Sequence, residues 1–187
     1  MKKITIFCVI VTVFMLGAGL LGCSSIPPAE LIPADRTTAT VYFIMANSGT
    51  TMAFTSIQMG TQFSLWDGDT YLSNIKGNHY VKLNFKAGTH YFMATSHGTF
   101  SIWDIVRADL EAGRTYYLSI ITLPGFGGAN VRIDYIEPGD PLLPGYLNDC
   151  TETPPFGGTN ESYIAEAAKK LETALQNPQN ITRVPPR

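Results

Sequence analysis

Thiols and imidazoles are the side chains best suited to nucleophilic or metal chemistry, and this sequence has few of either. The cysteines are Cys8, Cys23 and Cys150, and the histidines are His79, His90 and His97. A zinc site needs ligands that converge, as two histidines on one helical turn or a C-x2-C pair do. The histidines lie 11 and 7 residues apart, on turns and strands, so no metal site is expected. His90 is expected to hydrogen-bond within its own turn. No serine stands in a G-x-S-x-G elbow and no acidic pair presents itself, so no catalytic residue is assigned and the chain is not expected to be an enzyme.

Cys23 is set apart by what surrounds it. Met1-Lys2-Lys3 precedes 18 uncharged residues, Ile4 to Leu21, and then come Gly22, Cys23 and two serines. A basic start, an apolar run and small residues before a cut make the pattern of a secretory leader. Leu20-Leu21-Gly22-Cys23 resembles the lipobox of bacterial lipoproteins. The resemblance implies that the Cys23 thiol receives a diacylglycerol, that a signal peptidase cuts between Gly22 and Cys23, and that Cys23 becomes an acylated N-terminus. A thiol suits this step because the thiolate is the strongest nucleophile among the side chains. The competing reading is a retained transmembrane helix, since about 18 apolar residues can span a bilayer. Against it stands the linker-like "SSIPPAELIPADRT", which follows at once and carries three prolines. Two or more acyl chains, at about 0.8 kcal/mol per buried CH2, form a stable anchor. Ser24 after the cysteine, where Asp is absent, resembles the outer-membrane sorting rule of double-membrane bacteria. The expected location is the bacterial cell envelope at the outer membrane, with the membrane as partner through the lipid and no cofactor beyond it.

Residues 1–22 are thus expected to be a removed leader, leaving 165 residues, enough for one domain with a real core. The remainder carries 11 basic and 15 acidic residues, which excludes the basic stripe of a nucleic-acid binder. Cys150 has no partner left in the mature chain and no basic neighbour to lower its pKa, so it is expected to be buried and inert.

Residues 23–37 read as lipid anchor and tether. Extended at about 3.1 Å per residue, they could hold a domain on the order of 40 Å off a bilayer. Residues 38–136 read as strands. "TATVYFIM" is β-branched and aromatic, and "YVKLNF" alternates, with Val81, Leu83 and Phe85 on one face. Asp67-Gly68 between two alternating runs predicts a hairpin with a type I′ turn. Its register places Phe63, Leu65 and Leu72 on one face, Trp66 and Tyr71 on the other. Lys86-Ala87-Gly88 and Glu111-Ala112-Gly113 each precede an aromatic-rich run and read as tight turns where glycine permits positive φ. The whole predicts a mainly β domain, an antiparallel β-sandwich of seven or eight strands with one C-terminal α-helix. Within residues 137–187, the Pro/Gly-rich start reads as a wrapping loop. Glu161 to Gln176 reads as a helix capped by Thr159 or Asn160 and supported by a Glu166–Lys170 pair, and the end reads as a loose tail.

Ala39-x-Val41-Tyr42-Phe43, Asp67-Gly68, Ala87-Gly88-Thr89-His90 and Ala112-Gly113-Arg114-Thr115-Tyr116-Tyr117 stand in an order that resembles a family of small bacterial lipoproteins, domain-of-unknown-function 2846, similar to PEGA-type β-domains. The resemblance covers roughly 38–136. At the third motif Ala87 stands where that family has proline. It implies a β-sandwich on a lipid anchor, with no assigned activity.

Trp66, Tyr71, Trp103, Ile105, Tyr117 and Ile121 fall opposite the core positions, where a solvated sheet face would be polar. Either the C-terminal loop and helix cover this face, or part of it stays open as a groove for a sugar, a peptide or another envelope protein. Coverage of most of it is expected, with Trp66, at the hairpin tip, left exposed. "GFGG" and "PFGG" either present Phe126 and Phe156 to a ligand or tuck them into the rim. The candidate binding surface is therefore Trp66, Tyr71, Trp103, Phe126 and Phe156. The expected role is a non-catalytic binding or structural module with an envelope protein as partner. The alternatives are a small-ligand or carbohydrate binder and, after that, a periplasmic enzyme.

Overall fold

Strand-forming composition becomes two packed sheets. A computed structural model describes residues 26, 28–29, 31–46, 62–96, 102–125 and 128–185. The elements are β1 (Thr38–Met45), β2 (Gln62–Asp67), β3 (Thr70–Lys76), β4 (His79–Lys86), β5 (Gly88–Ser96), β6 (Ile102–Leu110), β7 (Thr115–Gly125), β8 (Gly128–Ile136), α1 (Leu143–Asp149), β9 (Thr151–Glu152), α2 (Glu161–Leu175) and β10 (Thr182–Val184). One sheet runs β8-β7-β1-β4-β9 and the other β10-β6-β5-β2-β3.

The sandwich is mixed rather than purely antiparallel. β1 pairs parallel with β7, β4 with β9, and β10 with β6, while the remaining pairs are antiparallel. The two Ala-Gly segments, read from sequence as tight turns, are corners that carry the chain into the opposite sheet: β4 to β5 at Gly88, β6 to β7 at Gly113. Gly113 has φ +74°, so the corner uses a left-handed residue that an L side chain would strain.

Alternation along the strands builds the core between the sheets. β1 sends Ala39, Val41, Phe43 and Met45 inward, β4 sends Val81, Leu83 and Phe85, and β6 sends Val106, Ala108 and Leu110. Phe43 and Phe92 meet edge-on across the sheets at 5.2 Å. The β2–β3 hairpin keeps the expected faces but not the expected turn. Asp67 pairs with Thr70, so the central residues are Gly68 and Asp69, with Gly68 at φ +62° as a type II′ turn favours. A bulge between Leu65 and Trp66 takes up the shift, with Leu72 as the extra residue.

Three stretches expected to be irregular are structured. The Pro/Gly-rich loop contains α1, which places Leu143, Tyr146 and Leu147 over the outer face of the first sheet, against Ile44 and Ile136. The tail forms β10, whose Val184 is buried in the core. In the segment read as a free tether, Ile26, Ala29 and Ile32 are bound to the sandwich. Thr159 N–H donates to Ile26 O at 2.9 Å, Ala29 N–H to Tyr71 O at 3.0 Å, and Asn84 Nδ2 to Ile32 O at 2.9 Å. The second bond occupies a backbone carbonyl on the open edge of β3, and the third uses the side-chain amide of Asn84 on β4. An edge strand otherwise invites pairing with another chain.

Candidate functional site

The aromatic face of the second sheet comes together as the hairpin register requires. Trp66 pairs with Tyr71 across β2–β3 and with Met93 on β5, and Met93 in turn pairs with Ile105 on β6. The Trp66 and Tyr71 rings meet edge-on at 5.3 Å, and Trp66 and Trp103 lie 5.8 Å apart. α2 covers them, with Ala167 buried and Tyr163, Ile164 and Leu171 packed on the cluster. Asn160 caps this helix by accepting from Tyr163 N at 3.2 Å. Glu166, expected to support Lys170, instead accepts the Trp103 indole N–H at 3.0 Å.

Trp66 is therefore not exposed. It is wholly buried, because the hairpin tip lies beneath α2, where a Cβ on Gly68 would stand 3.6 Å from Leu171. Its own Nε1 has no hydrogen-bond partner among the described residues. Tyr71 is buried as well, and burial pushes its phenol pKa upward. Trp103 and Ile105 keep partial exposure. Tyr117, grouped with these residues by sequence, sits on the other sheet, 5.1 Å from Tyr42 beside α1.

Phe156 is held by its backbone. Its N–H donates to Ser73 Oγ at 3.0 Å, and its carbonyl accepts from Asn74 N at 3.0 Å and Tyr71 Oη at 3.2 Å. The PFGG loop thus lies on the β3 edge, and the half-buried Phe156 ring has Lys76 Nζ 5.9 Å from its centre. Gly157, at φ +84°, sits so close to this edge that a Cβ would fall 2.0 Å from Asn74 Nδ2. Gly22, Cys23, His97 and Phe126 lie outside the described residues.

His79 Nδ1 lies 2.7 Å from Gly77 O, and His90 Nε2 lies 2.9 Å from Lys86 O, within its turn as expected. Among the described residues no three His, Cys, Asp or Glu side chains cluster tightly enough to hold a metal. Cys150 is buried beside α1, and burial, aided by Asp149, pushes its thiol up to about 11, an unreactive state. No helix among the described residues is long and apolar enough to cross a membrane.

What stays open is a groove of about 540 Å³ between the hairpin tip and the C-terminal half of α2. It is lined by Gly68, Asp69, Ala168, Leu171, Glu172, Leu175 and Gln176. Sequence reasoning missed this groove, since it arises only where two elements distant in the chain fail to close fully. It also missed Asp104. This carboxylate turns inward from β6 and accepts the Ile133 N–H of edge strand β8 at 2.6 Å, and burial raises its pKa. Its place in the period-2 pattern, on the same face as Val106 and Ala108, was the available signal. The chain matches no protein-family model and no curated protein.

Proposed function

We propose that this protein is a lipid-anchored component of the bacterial cell envelope, at the outer membrane, serving as a non-catalytic structural or binding module. One observation carries the reading: an uncharged run ends at Leu20-Leu21-Gly22-Cys23, with serine following. The mixed β-sandwich supports it as a compact module for display on a lipid surface, and the motif order that resembles domain-of-unknown-function 2846 points the same way. Because α2 occupies the aromatic face, the module role rests on outer surfaces other than Trp66 and Tyr71. Mass spectrometry of the membrane-purified protein is expected to find an N-terminus at Cys23 bearing a diacylglycerol and an acyl chain, and Cys23→Ser is expected to abolish palmitate labelling. A chain still beginning at Met1 overturns the proposal.

The small-ligand reading has one observation in its favour. The groove beside Leu171 falls within the 300–1,000 Å³ typical of ligand sites, with Asp69, Glu172 and Gln176 as polar groups on an otherwise apolar wall. Leu171 also packs on the Trp66 cluster, so the exposed Ala168 is the better probe. Ala168→Trp is expected to abolish any ligand-induced rise in Tm while leaving the unliganded Tm unchanged.

A further inference from the structure

We propose that the strap that carries Ile26, Ala29, Leu31 and Ile32 lies directly on the phospholipid surface, with Leu31 and Ile32 inserted among the headgroups, so that the domain rests on the membrane instead of hanging from a long tether. The inference depends on acylation of Cys23, as proposed above, and adds which face of the domain meets the lipid.

Chain length carries the argument. Ile26 is bound to the domain through Thr159, and Ala29 through Tyr71. From Cys23 to Ile26 there are three residue steps, which span about 11 Å at full extension. A diacylglycerol on Cys23 holds that residue at the bilayer interface. The headgroup layer is itself roughly 5–7 Å thick, taking half the difference between the whole bilayer and its hydrocarbon core. Ile26 and Thr159 are thereby confined to the membrane surface, and a stand-off on the order of 40 Å would require the strap to detach.

The chemistry of the strap fits this partner. The described residues include four exposed large apolar side chains: Leu31, Ile32, Leu142 and Leu175. Two of them are adjacent and lie on the strap, Leu31 being 55 % exposed. Leu175 stands at the far end of α2, which begins two residues after Thr159 and carries the chain about 22 Å away. Leu142 precedes α1, which covers the other sheet. Among the described residues, the only exposed pair of adjacent large apolar side chains is thus on the segment that the anchor draws to the lipid.

The test uses the full lipidated chain with a single environment-sensitive fluorophore attached at Leu31→Cys or Ile32→Cys, and at Leu142→Cys or Leu175→Cys as references. The proteins are reconstituted into phosphatidylethanolamine/phosphatidylglycerol vesicles containing a nitroxide-labelled lipid. Quenching at positions 31 and 32 is expected to exceed that at 142 and 175 at least threefold. Equal quenching at all four positions, in protein whose Cys23 is shown by mass spectrometry to be acylated, overturns the strap proposal and leaves the anchor standing. An unacylated Cys23 in membrane-purified protein overturns both.

Discussion

His90 Nδ1 stands 2.7 Å from Asp67 Oδ2, tying the β5 strand to the last residue of β2. The other ring nitrogen faces the Lys86 carbonyl, so both partners are acceptors and only the doubly protonated imidazolium satisfies both. Burial by itself lowers the pKa of His90, but the Asp67 carboxylate and the Lys86 carbonyl outweigh it and hold the pKa above the usual 6.5. A pKa raised in the folded state means stability that is complete below the unfolded value and lost as pH rises through the folded one. Tm is therefore expected to fall on going from pH 6 to pH 9, and His90→Gln to flatten that slope. An unchanged slope in the variant, measured by thermal denaturation, removes the assignment.

Trp66 separates two kinds of loss. Trp66→Ala opens a cavity under α2 and is expected to cost about 3–5 kcal/mol, a fall in Tm of around 10 °C or more. Trp66→Phe is expected to cost less than half of that, because it also removes an indole N–H that has no partner among the described residues. Calorimetry on the two variants checks the ordering.

Among the glycines of the described residues, Gly157 is expected to be the least able to change. Gly157→Ala combines a left-handed backbone with a collision against Asn74, and about 2–4 kcal/mol of destabilisation is expected. Gly139→Ala, at a position with no atom within 4 Å and no positive φ, is expected to stay within about 0.5 kcal/mol of wild type. Urea denaturation of both variants reads the difference.

Asp104 holds the β8 edge to the opposite sheet. Asp104→Ala leaves the Ile133 N–H unpaired and is expected to cost about 1–3 kcal/mol. Asp104→Asn keeps an acceptor and drops a charge that burial disfavours, so at pH 7 it is expected to match or exceed wild type. That advantage is expected to vanish as pH falls below the folded pKa of Asp104, where wild type is itself neutral.

Local pattern alone determined the strand content, the inward sets Val81-Leu83-Phe85 and Val106-Ala108-Leu110, the α2 helix with its cap narrowed to Thr159 or Asn160, and the split of Phe63 and Leu65 from Trp66 and Tyr71. Each of these follows from side-chain periodicity over a few residues, which burial on one face dictates directly. Only the tertiary structure decided which sheet each strand joins. The Ala-Gly turns read alike as hairpins or as corners, because the positive φ that glycine supplies serves both, and the choice depends on which distant strand completes the pairing. The same holds for the strap, β10 and α1. Their own sequences are too short and too rich in proline and glycine to favour any regular structure, and it is the edges and faces left unfilled by the strands that order them. Trp66 shows this most directly: its alternation assigned it to the outer face, and a helix about a hundred residues away in the chain made that face interior.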